Sequence, residues 1–346
     1  MEQAIFVSHD FGVILFVEVT TVNYYDLSEG YYKQGTLTDD EMWSAFSYAL
    51  SSKSSHSASY KFGFLKSILD NLYEVDSNLR LSFDQLFSKF AEIYWNLILK
   101  YNLRQSPENV QGRMTNLEHV LYEAKEKYLI ASEIPYESLT AEMAFDINKK
   151  VKNRCKANVV GALFGDTQEL FYSFSKKGEW IQINPVMYGF VCKHKIVIEK
   201  LNYYEWAKYL EKVNNLSADH LLTKIDESTF RNNLSYYRHI LENEFETHNC
   251  FYCGRKLTSQ NTHVDHFIPW SFLKADNTWN FVLSCNTCNI RKNDRLAGQP
   301  FLDALITRNN RIPRTFPGFQ NYTENKLLDA YHWANNNGYT NIWMPA

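Results

Sequence analysis

The stretch CFYCGRKLTSQNTHVDHFIPWSFLKADNTWNFVLSCNTCN, residues 250–289, carries a CxxC pair near each of its ends. A segment of 31 residues separates the two pairs. Structural Zn²⁺ is typically held in a tetrahedron by four ligands, and two CxxC pairs can supply four thiolates. In a reducing compartment this spacing favours a metal over disulfides. We therefore predict a structural zinc bound by Cys250, Cys253, Cys285 and Cys288.

The segment between the pairs has the pattern of two strands followed by a helix. The first apolar run lies within residues 262–271 and is ended by Pro269, and the second covers residues 279–285. A helix is predicted to start at the second CxxC pair, within residues 285–296. Four thiolates leave zinc no open coordination position, so it cannot activate water. Any chemistry at this site must come from other residues.

Three features of this segment resemble the HNH nucleases, whose shared unit is the ββα-metal fold. They are the triplet VDH that ends at His266, the middle Asn280, and Asn289 just after the second CxxC pair. Many HNH domains place His at the last of these positions, so the chain resembles the HNN subset in its zinc-stapled, four-cysteine form. The resemblance covers a short part of the 346 residues, but its motifs occur in the order that the family shows.

The resemblance implies a metal-dependent endonuclease that hydrolyses phosphodiester bonds in DNA. It makes His266 the general base that activates water, a role that suits an imidazole near neutral pH. Asp265 and Asn289 become the ligands of a catalytic cation, and their oxygen donors favour Mg²⁺ or Mn²⁺ over a softer ion. Such a cation stabilises the scissile phosphate and the leaving group.

The same resemblance assigns supporting roles to three more residues. Asn280 orients the His266 region through hydrogen bonds, and Arg291 and Lys292 contact phosphate from the predicted helix. The charge distribution agrees with this expectation. Residues 250–314 contain nine Lys/Arg and four Asp, a net charge of +5, which leaves −8 for the rest of a chain whose total is −3. A local basic excess of this kind is typical of a phosphate-facing surface.

Two alternatives stay open beside the DNA endonuclease. The first is a non-catalytic zinc module that binds DNA or a partner protein, and the second is an enzyme that acts on RNA. By resemblance, bacterial restriction or anti-phage defence is the expected setting. A partner defence protein or a second copy of the chain, as a homodimer, are then further candidate partners.

The chain as a whole is predicted to be α+β and mainly helical, in three parts. The first part, residues 1–155, is a domain with a buried strand at residues 11–19 that is mainly helical after this strand. Apolar residues recur there at helical spacing. The predicted helices cover residues 60–73, 81–101, 115–128 and 139–150.

The second and third parts are a small module and the nuclease region. Residues 156–226 form an expected α+β, winged-helix-like module, with strands within residues 159–184 and a helix at 201–214. Because the basic run at residues 149–156 precedes it, this module is the candidate for further DNA contact. Residues 227–346 hold the nuclease domain and its flanking helices, predicted at 228–246, 300–309 and 324–337.

Composition excludes several other classes of protein. The charged fraction is 22% and the hydrophobic fraction 45%, which is ordinary for a globular chain. No signal peptide and no membrane-spanning run is apparent, so we expect a cytoplasmic protein without a membrane partner. The chain also lacks the GxxxxGK[ST] and GxGxxG motifs, which argues against a built-in nucleotide-driven motor.

Overall fold

The computed structural model describes residues 23–54, 56–107, 114–131, 133–229, 234–243, 245 and 248–345. Within them the chain is mainly helical with small sheets, which confirms the predicted α+β class. The strand predicted at residues 11–19 lies outside the described residues. No helix in the described part of the chain is long and apolar enough to cross a membrane.

Seven helices in the described residues before 230 form a helical body. They are α1 (Asp39–Leu50), α2 (Tyr60–Asp70), α3 (Phe83–Trp95), α4 (Asn116–Lys127), α5 (Ala141–Asp166), α6 (Pro185–Asn214) and α7 (Ala218–Asp226). Helix α2 lies at the centre, because all of its residues after Tyr60 are buried. The Ser82 hydroxyl accepts a hydrogen bond from the Gln85 amide in a capping box that starts α3.

A four-stranded antiparallel sheet packs with this body. Its strands are β1 (Glu29–Gly30), β2 (Arg80–Ser82), β3 (Tyr172–Ser175) and β4 (Trp180–Ile183), in the order β1-β3-β4-β2. Because two of these strands come from before residue 155, the sheet is not part of a separate winged-helix-like module. That feature of the prediction is wrong, since strands distant in the sequence complete the hydrogen bonding of β3 and β4.

The helix α5 crosses the expected boundary at residue 155 and includes residues 159–166, which were predicted as a strand. Val159, Val160, Leu163 and Phe164 are buried in it at helical spacing. A short apolar run does not distinguish a strand from a buried helix by its periodicity alone. The packing of α5 against the other helices decides between them.

The basic run at residues 149–156 lies on α5, and several of its charges are paired within the chain. Lys152 Nζ lies 2.7 Å from Asp84 Oδ1 and 2.6 Å from Glu179 Oε2. Lys156 Nζ lies 2.6 Å from the other oxygen of Glu179. These ion pairs do not favour the DNA contact that the run suggested, because the paired ammonium groups already have acidic partners.

The C-terminal region contains a two-stranded antiparallel sheet, β5 (Thr262–His266) and β6 (Phe281–Cys285). Around it lie α8 (Ser235–Asn243), α9 (Trp270–Leu273), α10 (Asn286–Lys292), α11 (Gln299–Asn310) and α12 (Glu324–Asn336). The pairing runs from Thr262 opposite Cys285 to His266 opposite Phe281. The predicted order of strand, strand and helix between the cysteine pairs is therefore present.

Buried polar contacts join the helical body to this region. Lys195 of α6 is fully buried and donates a 2.7 Å hydrogen bond to the carbonyl of Phe272 in α9. Burial lowers the pKa of this lysine. The Asn337 amide donates to the Cys192 carbonyl and its oxygen accepts from the Ile196 amide. One hydrophobic core also includes residues of both regions.

Candidate active site

The structure brings the four predicted zinc ligands together. The Sγ atoms of Cys250, Cys253, Cys285 and Cys288 all lie within 4.8 Å of one another. The Cys253 and Cys285 sulfurs are 3.8 Å apart, which is the separation that a tetrahedron with Zn–S bonds of about 2.3 Å requires. Burial opposes ionisation of Cys285, but hydrogen bonds from Cys288 and its neighbours outweigh it and lower the pKa to about 7. The donor set fits a structural zinc ion.

Local backbone geometry positions the cysteines of both CxxC pairs. Gly254 has a φ of +70°, which L side chains rarely adopt, and its amide donates to the Cys250 carbonyl at 2.9 Å. Cys285 is the last residue of β6 and Cys288 lies in the first turn of α10. A zinc ion held by these thiolates would therefore fix the start of α10 relative to β5 and β6.

Three residues that are predicted to carry the chemistry line one small cavity. His266, Asp265 and Asn289 all line a cavity of about 120 Å³. The other residues that line it are Leu234, Val264, Pro269, Trp270, Asn293 and Asp294. The end of β5 supplies the carboxylate and the imidazole, and α10 supplies the amide. Residues that offer two oxygen ligands and one imidazole thus line the same cavity.

Asp265 is held by two donors that were not assigned to it from the sequence. The Tyr252 hydroxyl donates to its Oδ2 at 2.5 Å, and Lys292 Nζ lies 3.1 Å from Oδ2 and 3.3 Å from Oδ1. Burial first, and the Asp265 charge second, raise the Tyr252 pKa, so the phenol stays a donor. Because only the longer lysine contact uses Oδ1, that oxygen retains acceptor capacity for a cation.

Lys292 is placed differently from the phosphate contact predicted for it. Its side chain is 0% exposed, and its Nζ also donates to the His266 carbonyl at 2.8 Å. The neighbouring Arg291 is exposed. Successive helical residues point about 100° apart, so one of the two faces the interior and the other faces solvent. The phosphate contact of Arg291 stays a prediction, while the buried Lys292 forms an ion pair with Asp265.

His266 has a partner that the sequence reasoning missed. Its Nε2 lies 2.8 Å from Asp276 Oδ1, and the two side chains are only 5% and 6% exposed. The Phe281 ring packs edge-on against the imidazole, with 4.7 Å between centroids. The one signal for Asp276 in the sequence is that it is the single acidic residue in the link between α9 and β6.

Asn280 fixes the backbone just after His266 through hydrogen bonds. It is fully buried, its Oδ1 accepts from the Ile268 amide at 2.8 Å, and its Nδ2 donates to the Ile268 carbonyl at 2.9 Å. Its own carbonyl accepts from the Phe267 amide at 2.8 Å. These three bonds fix the backbone that follows the imidazole, which is the geometry expected of an orienting residue.

Comparison with known proteins identifies one part of the chain. Residues 250–295 match the family model described as HNH endonuclease. The matched segment contains the four cysteines, the cavity residues Asp265, His266 and Asn289, and Asp276. No curated protein and no solved structure matches the chain.

Proposed function

Because residues 250–295 form an HNH endonuclease domain, we propose that this protein is a metal-dependent endonuclease that hydrolyses phosphodiester bonds in DNA. The observation that carries the proposal is the shared cavity, which is lined by His266, Asp265 and Asn289. These are the groups that a general base and a hard-cation site require.

His266 is the proposed general base. Within the described residues its hydrogen bonding engages Nε2, so Nδ1 is the nitrogen that takes a proton from the attacking water. The water oxygen then forms a bond to phosphorus, and the bond from phosphorus to the leaving oxygen breaks. Asn280 holds the backbone beside His266 during this step, because its side chain and carbonyl are both engaged there.

Asp265 and Asn289 would hold the catalytic cation, for which Mg²⁺ and Mn²⁺ are the proposed ions. A divalent cation supplies binding of the scissile phosphate and stabilisation of the charge on the leaving oxygen. The zinc has a separate role, because a site closed by four thiolates contributes stability and not a reactive water.

The proposed substrate is DNA, and restriction or anti-phage defence is the setting that the family resemblance suggests. The net charge of +5 in residues 250–314 supports a nucleic-acid substrate. Arg291, which is exposed and follows Asn289 by two residues on α10, is the proposed phosphate contact. Cleavage of both strands would require the single catalytic centre to act twice, or a second copy of the chain or a partner protein to supply another centre.

The test compares wild-type protein with H266A on supercoiled plasmid, with Mg²⁺, Mn²⁺ or a chelator. We expect relaxed or linear product from the wild type with a divalent ion, and a loss of about 10²-fold or more in H266A, the usual contribution of a general base. Equal nicking by both proteins would point to a contaminant. Binding without cleavage under any metal would instead favour the non-catalytic zinc module, and an RNA substrate run in parallel separates the two nucleic acids.

A further inference from the structure

We propose that Asp276 is a positioning residue that fixes the tautomer and the orientation of the His266 imidazole. The inference rests on the proposed nuclease function, because it assigns a role within the same site. Its basis is the 2.8 Å contact between His266 Nε2 and Asp276 Oδ1 in a place where both side chains are almost fully buried.

The chemistry of the contact selects one tautomer. A carboxylate only accepts hydrogen bonds, so the proton of the neutral imidazole resides on Nε2. The lone pair then resides on Nδ1, the nitrogen left to act on water. When Nδ1 receives a proton, the same carboxylate faces the positive ring. This is the logic by which an acid orients a catalytic histidine in hydrolytic triads, here with the two ring nitrogens exchanged.

The backbone around Asp276 is built to hold this carboxylate in place. On one side Lys274 adopts a left-handed conformation and its amide closes α9 by donating to the Trp270 carbonyl at 2.7 Å. On the other side the Asn280 amide donates to the Asn277 carbonyl at 2.8 Å. The Phe281 ring also packs against the imidazole. Two contacts therefore constrain the His266 side chain, the Asp276 contact at Nε2 and the packing against Phe281.

Asp276 also lines a second cavity, which shares no lining residue with the cavity at Asp265 and Asn289. This cavity has a volume of about 190 Å³ and is lined by Glu74, Tyr236 and Tyr237 among others. Removing the carboxylate of Asp276 would join its vacated space to this cavity. A small carboxylate such as formate could then take the place of the lost group.

The experiment uses full-length, zinc-replete D276A, with E74Q as the matched control. Glu74 lines the same cavity, so E74Q changes a neighbouring carboxyl group while the pair of Asp276 and His266 stays in place. Single-turnover cleavage gives the rate, and substrate titration gives KM. Nitrogen NMR of the histidine rings at one fixed pH gives the tautomer. Zinc content and circular dichroism verify that each variant is folded.

We expect D276A to lose about 10²-fold in kcat with KM nearly unchanged, since the general base loses its alignment. The Nε2–H signal of His266 should weaken in D276A, and formate should restore part of the rate. E74Q should match the wild type in all readouts, and formate should not restore H266A.

A wild-type rate in D276A would overturn the proposal. A slow D276A that keeps the Nε2–H tautomer and does not respond to formate would also overturn it, since the slower rate would then come from a structural disturbance and not from the lost orientation of His266. If the wild type itself cleaved no nucleic acid, the proposed function would fail, but the tautomer comparison would still decide whether Asp276 sets the state of His266.

Discussion

Replacing Lys292 by methionine isolates the buried ion pair that it forms with Asp265, a residue of the candidate site. The lysine ammonium, 0% exposed, lies 3.1 Å from Asp265 Oδ2. Without it, the buried carboxylate keeps the Tyr252 hydroxyl but loses its cationic partner. Breaking one side of a buried ion pair costs about 3–5 kcal/mol, so we expect K292M to lower the free energy of unfolding by about 3 kcal/mol.

The loss should depend on divalent ions, because Asp265 is also a proposed ligand of the catalytic cation. A ligand that binds only the folded state stabilises it by about 2.7 kcal/mol at a hundredfold excess over its Kd. We therefore expect Mn²⁺ to restore more stability to K292M than it adds to the wild type. Urea unfolding followed by fluorescence, with and without Mn²⁺, measures both quantities.

Two further variants control this measurement. R291M changes the exposed neighbour on the same helix and should alter the free energy of unfolding by less than about 0.5 kcal/mol. The double variant D265N/K292M removes both charges, so most of the lost stability should return. If K292M were as stable as the wild type, or if the double variant were no more stable than K292M, the ion-pair argument would be refuted.

Three more predictions test neighbouring parts of the site. Y252F removes a hydrogen-bond donor from Asp265, so it should lower the free energy of unfolding by about 1–3 kcal/mol and weaken the activation of cleavage by cations. Calorimetry measures the stability, and a Mn²⁺ titration of the cleavage rate measures the activation. Wild-type values in both assays would contradict this prediction. C253A should lose the bound zinc and the cleavage activity together, because an incomplete thiolate set binds zinc poorly. Atomic absorption on the purified protein measures the zinc content, and a full zinc content would count against the four-cysteine site. R291A should weaken DNA binding about equally for all sequences and reduce the salt slope by about 1; an unchanged slope in fluorescence anisotropy would remove Arg291 from the interface.

The zinc and catalytic segment was predictable because its signals are local. In a reducing compartment, two CxxC pairs indicate a zinc site from their spacing alone. Short apolar runs bounded by Pro269 and the cysteines predict β5 and β6. Their antiparallel pairing then sets Asp265 and His266 at the end of a strand, close to Asn289 on α10.

Other features depend on packing that the local sequence does not encode. Residues 159–166 have a strand-like composition, but they continue α5 because their apolar side chains face the helical core. Strands β1 and β2 are only two and three residues long and pair with β3 and β4 across large sequence distances. No periodic pattern can indicate strands this short.

Side-chain direction and partner choice were equally hidden at the site. Arg291 and Lys292 are equivalent cations in the sequence, and only the helical rotation places one of them inside. Asp276 meets His266 because the link between α9 and β6 folds back, which a spacing of ten residues does not reveal.

The central claim is that a thiolate-bound zinc fixes a scaffold on which His266 and an oxygen-bound cation face one phosphate. The most direct test is anomalous diffraction from crystals soaked in Mn²⁺, with data collected at the zinc and manganese absorption edges. We expect a zinc peak among the four cysteine sulfurs and a manganese peak between Asp265 and Asn289, beside the His266 ring. Manganese bound away from that cavity, or zinc absent from the cysteines, would contradict it.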